Sequence, residues 1–361
     1  MSGLHFHPLQ VSAVVPDGDD AMLVSFDVPP DLREAFAFAP GQYLTLRHID
    51  SSNDLRRSYS ICAASGEALR VGVRHVDGGA FSSWLHEHLR AGHIIESMPP
   101  QGRFGAALQR QATADEARAR HWLGIAGGSG ITPILSILKT ALEGDSTTRF
   151  TLIYGNRVAA STMFKEELED LKNRYLTRLA LHNMLSREQV DSPLGSGRID
   201  GAKLATFLRL CGRVDEAFIC GPHALNDEAE AALLAAGIAP ERIHIERFGV
   251  PPAQAQAVSH APQIGDATTA IISVLRDGLT REVAFTAQDE SILAAASRAG
   301  MDVPYSCKSG VCATCRAKLI EGRVRMDRNF ALEKSELDAG FILSCQSHPL
   351  TERVVVSFDE R

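Results

Sequence analysis

The sequence has no apolar run long enough to cross a bilayer. Its longest apolar stretch, Trp122 to Leu138, is broken by Gly127, Gly128 and Gly130. Its opening, Met-Ser-Gly-Leu-His-Phe-His-Pro, lacks the basic, apolar and small-residue zones of a secretory leader, so the expected location is the cytoplasm. Positive charge is not in excess: 37 Lys and Arg stand against 44 Asp and Glu, for a net charge of -7. No general basic field exists to gather nucleic acid or anionic lipid, and a phosphate-bearing ligand must be held by local groups. Collagen-like and low-complexity bias are missing, since 29 Gly and 16 Pro with 45% hydrophobic residues is an ordinary globular make-up. Cysteine is sparse and odd in number, seven in all, with Cys62, Cys211 and Cys220 scattered and Cys307, Cys312, Cys315 and Cys345 crowded together. In a chain without an export signal, such crowding favours metal over disulfide.

A length of 361 residues suggests two or three domains, and three is the working number. Residues 1–112 are rich in short alternating or β-branched runs, such as Tyr43-Leu44-Thr45-Leu46, punctuated by Gly and Pro; they read as a small antiparallel barrel. Over 113–249 strand-like runs (Trp122 to Ala126, Phe150 to Tyr154, Ala217 to Cys220) alternate with helical ones (Pro133 to Ala141, Lys165 to Lys172, Leu225 to Ala236). That is the rhythm of a doubly wound α/β nucleotide-binding sheet. Residues 250–265, rich in Pro, Ala and Gln, read as a linker, and 266–361 as a compact domain holding the cysteine cluster.

The spacing Cys307-x4-Cys312-x2-Cys315, with Cys345 after 29 further residues, is the plant-type [2Fe–2S] arrangement. Zinc suits four thiolates too, but its ribbons and fingers use two short Cys pairs, and here the fourth Cys stands alone. A Rieske centre needs two His, and none lies near this loop. Ser309, Gly310, Val311, Ala313 and Thr314 are small or flexible enough to let backbone N–H groups turn toward sulfur. The run Pro304 to Cys315, with Leu343-Ser344-Cys345-Gln346, resembles the C-terminal ferredoxin domain of bacterial oxygenase reductases, which implies an α+β, β-grasp-like fold.

Upstream, Arg57-Ser58-Tyr59-Ser60 resembles the Arg-x-Tyr-Ser pattern of the ferredoxin–NADP reductase superfamily. Arg57 offers a fixed cation for flavin phosphates, Tyr59 a flat ring to stack on the isoalloxazine, and Ser60 a hydroxyl near its reactive nitrogen. A surface Arg beside a half-buried strand Tyr is the plain alternative. Gly78-Gly79-Ala80-Phe81-Ser82-Ser83 precedes a helical run from Trp84 to Leu89, and glycines with a Ser cap at a helix start make an anion site. Gly79, Phe81 and Ser82 are therefore candidates for the diphosphate, and the resemblance to the superfamily's flavin domain favours FAD over FMN.

Gly127-Gly128-Ser129-Gly130-Ile131-Thr132-Pro133 follows a buried strand and precedes a helix, a Gly-x-Gly-x-x-Pro form of the dinucleotide turn. Gly128, Ser129, Gly130 and Thr132 are its candidates. Arg157 and the pair Ser186-Arg187 present basic groups where the superfamily holds a 2′-phosphate, so NADPH is favoured over NADH. The resemblance also places Cys220-Gly221-Pro222 beside the nicotinamide ring and Phe248 near the flavin. Tyr59, Ser60 and Cys220 are thus the candidates for the reacting centre. A buried structural thiol is the plain reading of Cys220.

The order of these motifs, with Met98 to Phe104, Phe150 to Arg157 and Asp215 to Pro222, resembles the reductase components of bacterial oxygenases along nearly the whole chain, those of phenylacetyl-CoA epoxidases in particular. The resemblance implies electron flow from NADPH through FAD and [2Fe–2S] to a di-iron oxygenase component, without nucleic acid or membrane partners. A reductase for another oxygenase or hydroxylase stays open, as does a redox-sensing or metal-binding module.

Overall fold

The computed structural model describes residues 4–50, 53–109, 119–192, 194–250, 260 and 263–360. The junction expected at 112–113 lies outside them, as do residues 251–259, 261 and 262 of the expected linker. Two compact units emerge, one of residues 7–55 and 59–248, the other of 1–6, 56–58 and 249–361.

The first unit contains two sheets. Strands β1 (His7–Pro16), β2 (Ala21–Asp27), β3 (Tyr43–Asp50), β4 (Asn53–Ser60), β5 (Arg70–Arg74) and β6 (Ile94–Ser97) form one six-stranded sheet in the order β4-β3-β6-β1-β2-β5. An antiparallel bridge from Ile61 to Val71 joins its two edges, which closes the sheet into a barrel. Alternation along β1 sends Leu9 and Val11 inward to meet Val24, Leu44, Leu46 and Val71. Helix α1 (Ala80–His88) packs on the barrel through Phe81 and Leu85. It begins four residues before the expected Trp84, because Gly79 in extended backbone acts as N-cap and the Ser83 N–H already donates to the Gly79 carbonyl.

The second sheet is parallel. Strands β7 (His121–Gly127), β8 (Arg149–Asn156), β9 (Leu179–Leu185), β10 (Glu216–Cys220) and β11 (Ile243–Glu246) lie in the order β11-β10-β7-β8-β9. Helices α2 (Ile131–Gly144), α3 (Lys165–Arg174), α4 (Gly201–Cys211) and α5 (His223–Ala235) give separate cores on the two faces. Burial on both sides explains why β7 reads as a continuous apolar run. Helix α2 is apolar nearly all round for a related reason: its outer side faces the barrel. Ser136 Oγ donates to the Ala63 carbonyl at 2.6 Å. The buried Lys139 ammonium joins Glu67 and Glu167 at 2.5 and 2.9 Å, and Arg70 donates to Glu167 at 2.8 Å. These bonds join barrel and parallel sheet within one compact unit.

In the other unit, β12 (Thr269–Arg276), β13 (Leu279–Thr286), β14 (Arg316–Glu321), β16 (Phe341–Leu343) and β18 (Arg353–Ser357) form a mixed sheet in the order β13-β12-β18-β14-β16. A ribbon of β15 (Val324–Met326) and β17 (Ser347–Pro349) stands beside it. The β12–β13 hairpin turns on Asp277 and Gly278, both at positive φ as a two-residue primed turn requires. Helix α6 (Ile292–Arg298), capped by Ser291, covers the sheet and meets the turn that carries Cys345.

Candidate functional site

The order of the parallel sheet reverses between β7 and β10, and in open α/β sheets ligands bind outside the strands' carboxyl ends at such a switch point. Two turns meet there. A Cβ added at Gly130 would sit 2.0 Å from the Cys220 carbonyl oxygen, and one at Gly127 would sit 2.7 Å from Pro222. Glycine is therefore demanded by the Cys220-Gly221-Pro222 turn, which lets the two backbones approach. Gly128, at φ 54°, leads into a single 3-10 turn closed by Thr132 Oγ1 donating to the Ser129 carbonyl at 2.9 Å. The sequence candidates of the nicotinamide turn and of the Cys-Gly-Pro element are thus brought together at one crevice.

The barrel contributes Ser60, at the end of β4. Its Oγ donates to Glu246 Oε2 at 3.3 Å, and Glu246 ends β11, in register with Cys220 at the end of β10. Three strand ends therefore converge. Burial pushes the Glu246 carboxyl up to about 8, only partly offset by the Ser60 hydroxyl. The Cys220 thiol is fully buried, and desolvation, with the Glu246 charge second, raises it far above its ordinary range. Glu246 enters the site only through the fold, although the run Glu246-Arg247-Phe248 resembles the superfamily's ending. Phe248 is 46% exposed two residues on.

Tyr59 is half-buried, and its ring stacks at 6.1 Å on Phe81. Phe81 is 1% exposed: its side chain supports Tyr59 from behind, and its first-turn backbone N–H is what it can offer an anion. Ser82 does not cap α1. Its hydroxyl donates to the Gly79 carbonyl and accepts from the Val76 N–H, tightening the glycine turn instead. Arg57 is exposed, with a donation at 2.7 Å to the carbonyl of Arg56, and Ser58 follows it on β4.

At the carboxyl ends of β8 and β9, Ser186 N–H donates to the Asn156 carbonyl and Arg187 N–H to the Arg157 carbonyl, both at 2.9 Å. The pairing places Arg157 and Arg187 side by side and exposed, with no ion pair to either guanidinium among the described residues. Such a pair of cations suits a phosphate monoester.

In the other unit the four crowded cysteines are free thiols that converge. Cys312 Sγ lies 3.1 Å from Cys307 Sγ, and Cys315 shares a hydrogen bond with Cys345. The Ser309 N–H points at Cys307 Sγ from 3.4 Å and the Cys307 N–H at Cys312 Sγ from 3.5 Å. Lys308 and Gly310 at positive φ turn the loop so that these N–H groups face sulfur. Gln346 Nε2 ties the turn of Cys345 to the Lys308 carbonyl at 3.0 Å. Four thiols with inward N–H donors fit a [2Fe–2S] cluster.

Comparison with known proteins agrees with this layout. Residues 9–105 match an oxidoreductase FAD-binding domain family, 125–231 an oxidoreductase NAD-binding domain family, and 274–350 a 2Fe-2S iron-sulfur cluster binding domain family. The chain is 46% identical over 364 residues to a subunit of the 1,2-phenylacetyl-CoA epoxidase of Escherichia coli (strain K12), covering 99% of this chain and 98% of the relative. It is 32% identical to the ferredoxin reductase component of 3-ketosteroid-9-alpha-monooxygenase from Rhodococcus rhodochrous, over 97% of this chain and 96% of that one. The solved structure of phthalate dioxygenase reductase has a similar fold, with a TM-score of 0.58 at 24% identity and 98% of each chain covered. Among the described residues no helix is long and apolar enough to cross a membrane.

Proposed function

Because the chain belongs to the family of flavin- and iron–sulfur-dependent reductase components of bacterial oxygenases, we propose that it oxidises NADPH and supplies electrons to the di-iron oxygenase component of a phenylacetyl-CoA epoxidase, in the cytoplasm. The observation that carries the chemistry is the meeting of Ser60, Cys220 and Glu246 at the switch point of the parallel sheet. When bound, the flavin takes two electrons from the nicotinamide and releases them singly, which suits a one-electron iron–sulfur carrier.

This chain's residues supply binding, orientation and proton control. The N-terminus of α1 with Gly79 would hold the flavin diphosphate, and Tyr59, fixed by Phe81, would present its ring to the isoalloxazine. Arg57 stays, from its motif, a candidate cation for the flavin phosphates. Gly128, Ser129, Gly130 and Thr132, opposite Gly221 and Pro222, would cradle the dinucleotide. Arg157, Ser186 and Arg187 would take the 2′-phosphate, which favours NADPH over NADH. Ser60 and the neutral thiol of Cys220 would border the reacting rings, with Phe248 near the flavin. The Glu246 carboxyl is poised to hold or lose a proton near pH 8. Cys307, Cys312, Cys315 and Cys345 would ligate the cluster.

Reconstitution tests the partner. Purified with a phenylacetyl-CoA epoxidase oxygenase component, the protein is expected to couple NADPH oxidation to epoxide formation. Turnover with a Rieske dioxygenase but not with the epoxidase would overturn the assignment and leave the family reading intact. The near-full-length likeness to the epoxidase protein, greater than that to the ketosteroid monooxygenase reductase, favours the first outcome.

A further inference from the structure

The ferredoxin unit has a second set of metal-type donors that the four cysteines do not use. In the β15–β17 ribbon Arg325 faces His348 across the strands, and Asp327, just past β15, donates its N–H to the Gln346 carbonyl. That register sets Asp327 beside His348, with Oδ2 and Nε2 2.8 Å apart. His260 Nδ1 reaches the same Oδ2, also at 2.8 Å. The three donor atoms lie within 4.8 Å of one another. Asp327 and His348 side chains are 5% and 4% exposed, whereas His260 at 17% closes the set from the more open side.

The surroundings orient these donors. Arg325 takes the other carboxylate oxygen of Asp327 and clasps Asp266 through Nε and Nη2 at 2.9 and 2.7 Å. Oδ2 is thereby aimed at the two imidazoles. Two carboxylates against one guanidinium leave the pocket a net negative charge, which suits a cation.

We propose that His260 Nδ1, His348 Nε2 and Asp327 Oδ2 form a binding site for one zinc ion, with solvent completing its shell. Two imidazoles and a carboxylate are a zinc donor set. In a tetrahedral site with bonds of 2.0–2.1 Å the donors stand about 3.3 Å apart, so the two imidazole–carboxylate distances of 2.8 Å need open by only about half an ångström. Each imidazole would present its lone pair where it now faces the carboxylate. A bound ion would tie His260 to the strand that leaves the fourth cysteine, three residues after Cys345.

The test uses the full-length holoprotein with flavin and iron–sulfur cluster in place, cleared of loose metal by brief chelation and gel filtration. Titration with zinc chloride, with zinc and iron counted by mass spectrometry, is expected to give one zinc per chain beyond the cluster iron. His260→Asn keeps a hydrogen-bond donor for Asp327 and removes the ligand nitrogen, so it should weaken zinc roughly tenfold or more at unchanged iron content. Equal zinc binding by both proteins would overturn the site, because surface histidines such as His75 and His86, with rings 5.4 Å apart, would then account for it. So would no zinc on the wild type. Zinc-edge X-ray absorption of the wild type needs no variant. Two imidazole nitrogens with only oxygen beside them sustain the site, and a sulfur shell overturns it.

Discussion

Cys220 and Cys307 are the same residue in opposite chemical settings. Cys220 closes a parallel strand, has no exposed surface, and is kept protonated by desolvation and by the neighbouring Glu246. Cys307 sits in a turned loop, where the Cys312 hydrogen bond first, and then the Ser309 N–H, pull its thiol far below the ordinary range despite burial. Cys312 is correspondingly pushed up, since the pair holds one proton between two sulfurs. Backbone N–H groups aimed at sulfur make a ligand, and apolar packing beside a carboxyl makes a neutral wall. The two regions therefore differ in what faces sulfur: backbone N–H groups and a second thiol at Cys307, apolar packing and a carboxyl at Cys220.

The sharpest way to break this contrast is Cys312→Ser. Reduction of cytochrome c through the cluster should fall to background, while stopped-flow bleaching of the flavin by NADPH continues. Equal loss of both would mean that the two regions do not act in series. Next in size is Gly130→Ala, whose new methyl would meet the Cys220 carbonyl at 2.0 Å. Forcing the two turns apart should cost about 1–3 kcal/mol, read as a lower unfolding midpoint for the flavin–nucleotide unit with cluster absorbance unchanged. An unshifted midpoint would mean that the turns separate without strain.

The contrast also explains what is legible in the sequence. The four converging cysteines are readable because iron–sulfur ligation demands one residue type at one spacing. The parallel sheet is readable because strands buried on both faces are apolar throughout. Helix ends are less so: α1, on the barrel, starts at Ala80 because Gly79 is the cap, and glycine carries no side-chain signal of capping. Phe81 is singled out by the glycine turn before it, and helix phase turns its side chain into the barrel core. Glu246 escapes for a different reason. Its importance lies in Ser60 and Cys220, which are 186 and 26 positions away, and only the closed barrel and the β10–β11 register bring them together.

Arg187→Ala tests the nucleotide side with a smaller effect. Losing one charged hydrogen bond should weaken NADPH by about 1–3 kcal/mol while leaving NADH nearly unchanged, measured as the ratio of kcat/KM for the two nucleotides. Because Arg157 lies alongside, the double variant should depart from additivity. An unchanged ratio in Arg187→Ala would remove it from the phosphate site.

The subtlest prediction concerns Glu246. Its folded pKa of about 8 lies above the ordinary carboxylate value of 4.5, so the folded protein holds this proton more tightly than the unfolded chain. The stabilisation is fully present below about 4.5 and is lost as pH rises toward 8. Ionisation would also place a charge beside Cys220, at the crevice where a nicotinamide would sit. Flavin reduction by NADPH in the wild type should therefore change between pH 7 and 9. In Glu246→Gln, which keeps an acceptor for Ser60 and cannot ionise, the profile should flatten over that interval, with rates shifted by no more than a few fold at pH 7. A profile that keeps its inflection near pH 8 would assign the titration to another group and leave Glu246 as a structural partner of Ser60. A flat profile in both proteins would mean that proton loss at Glu246 is not felt at the nicotinamide crevice.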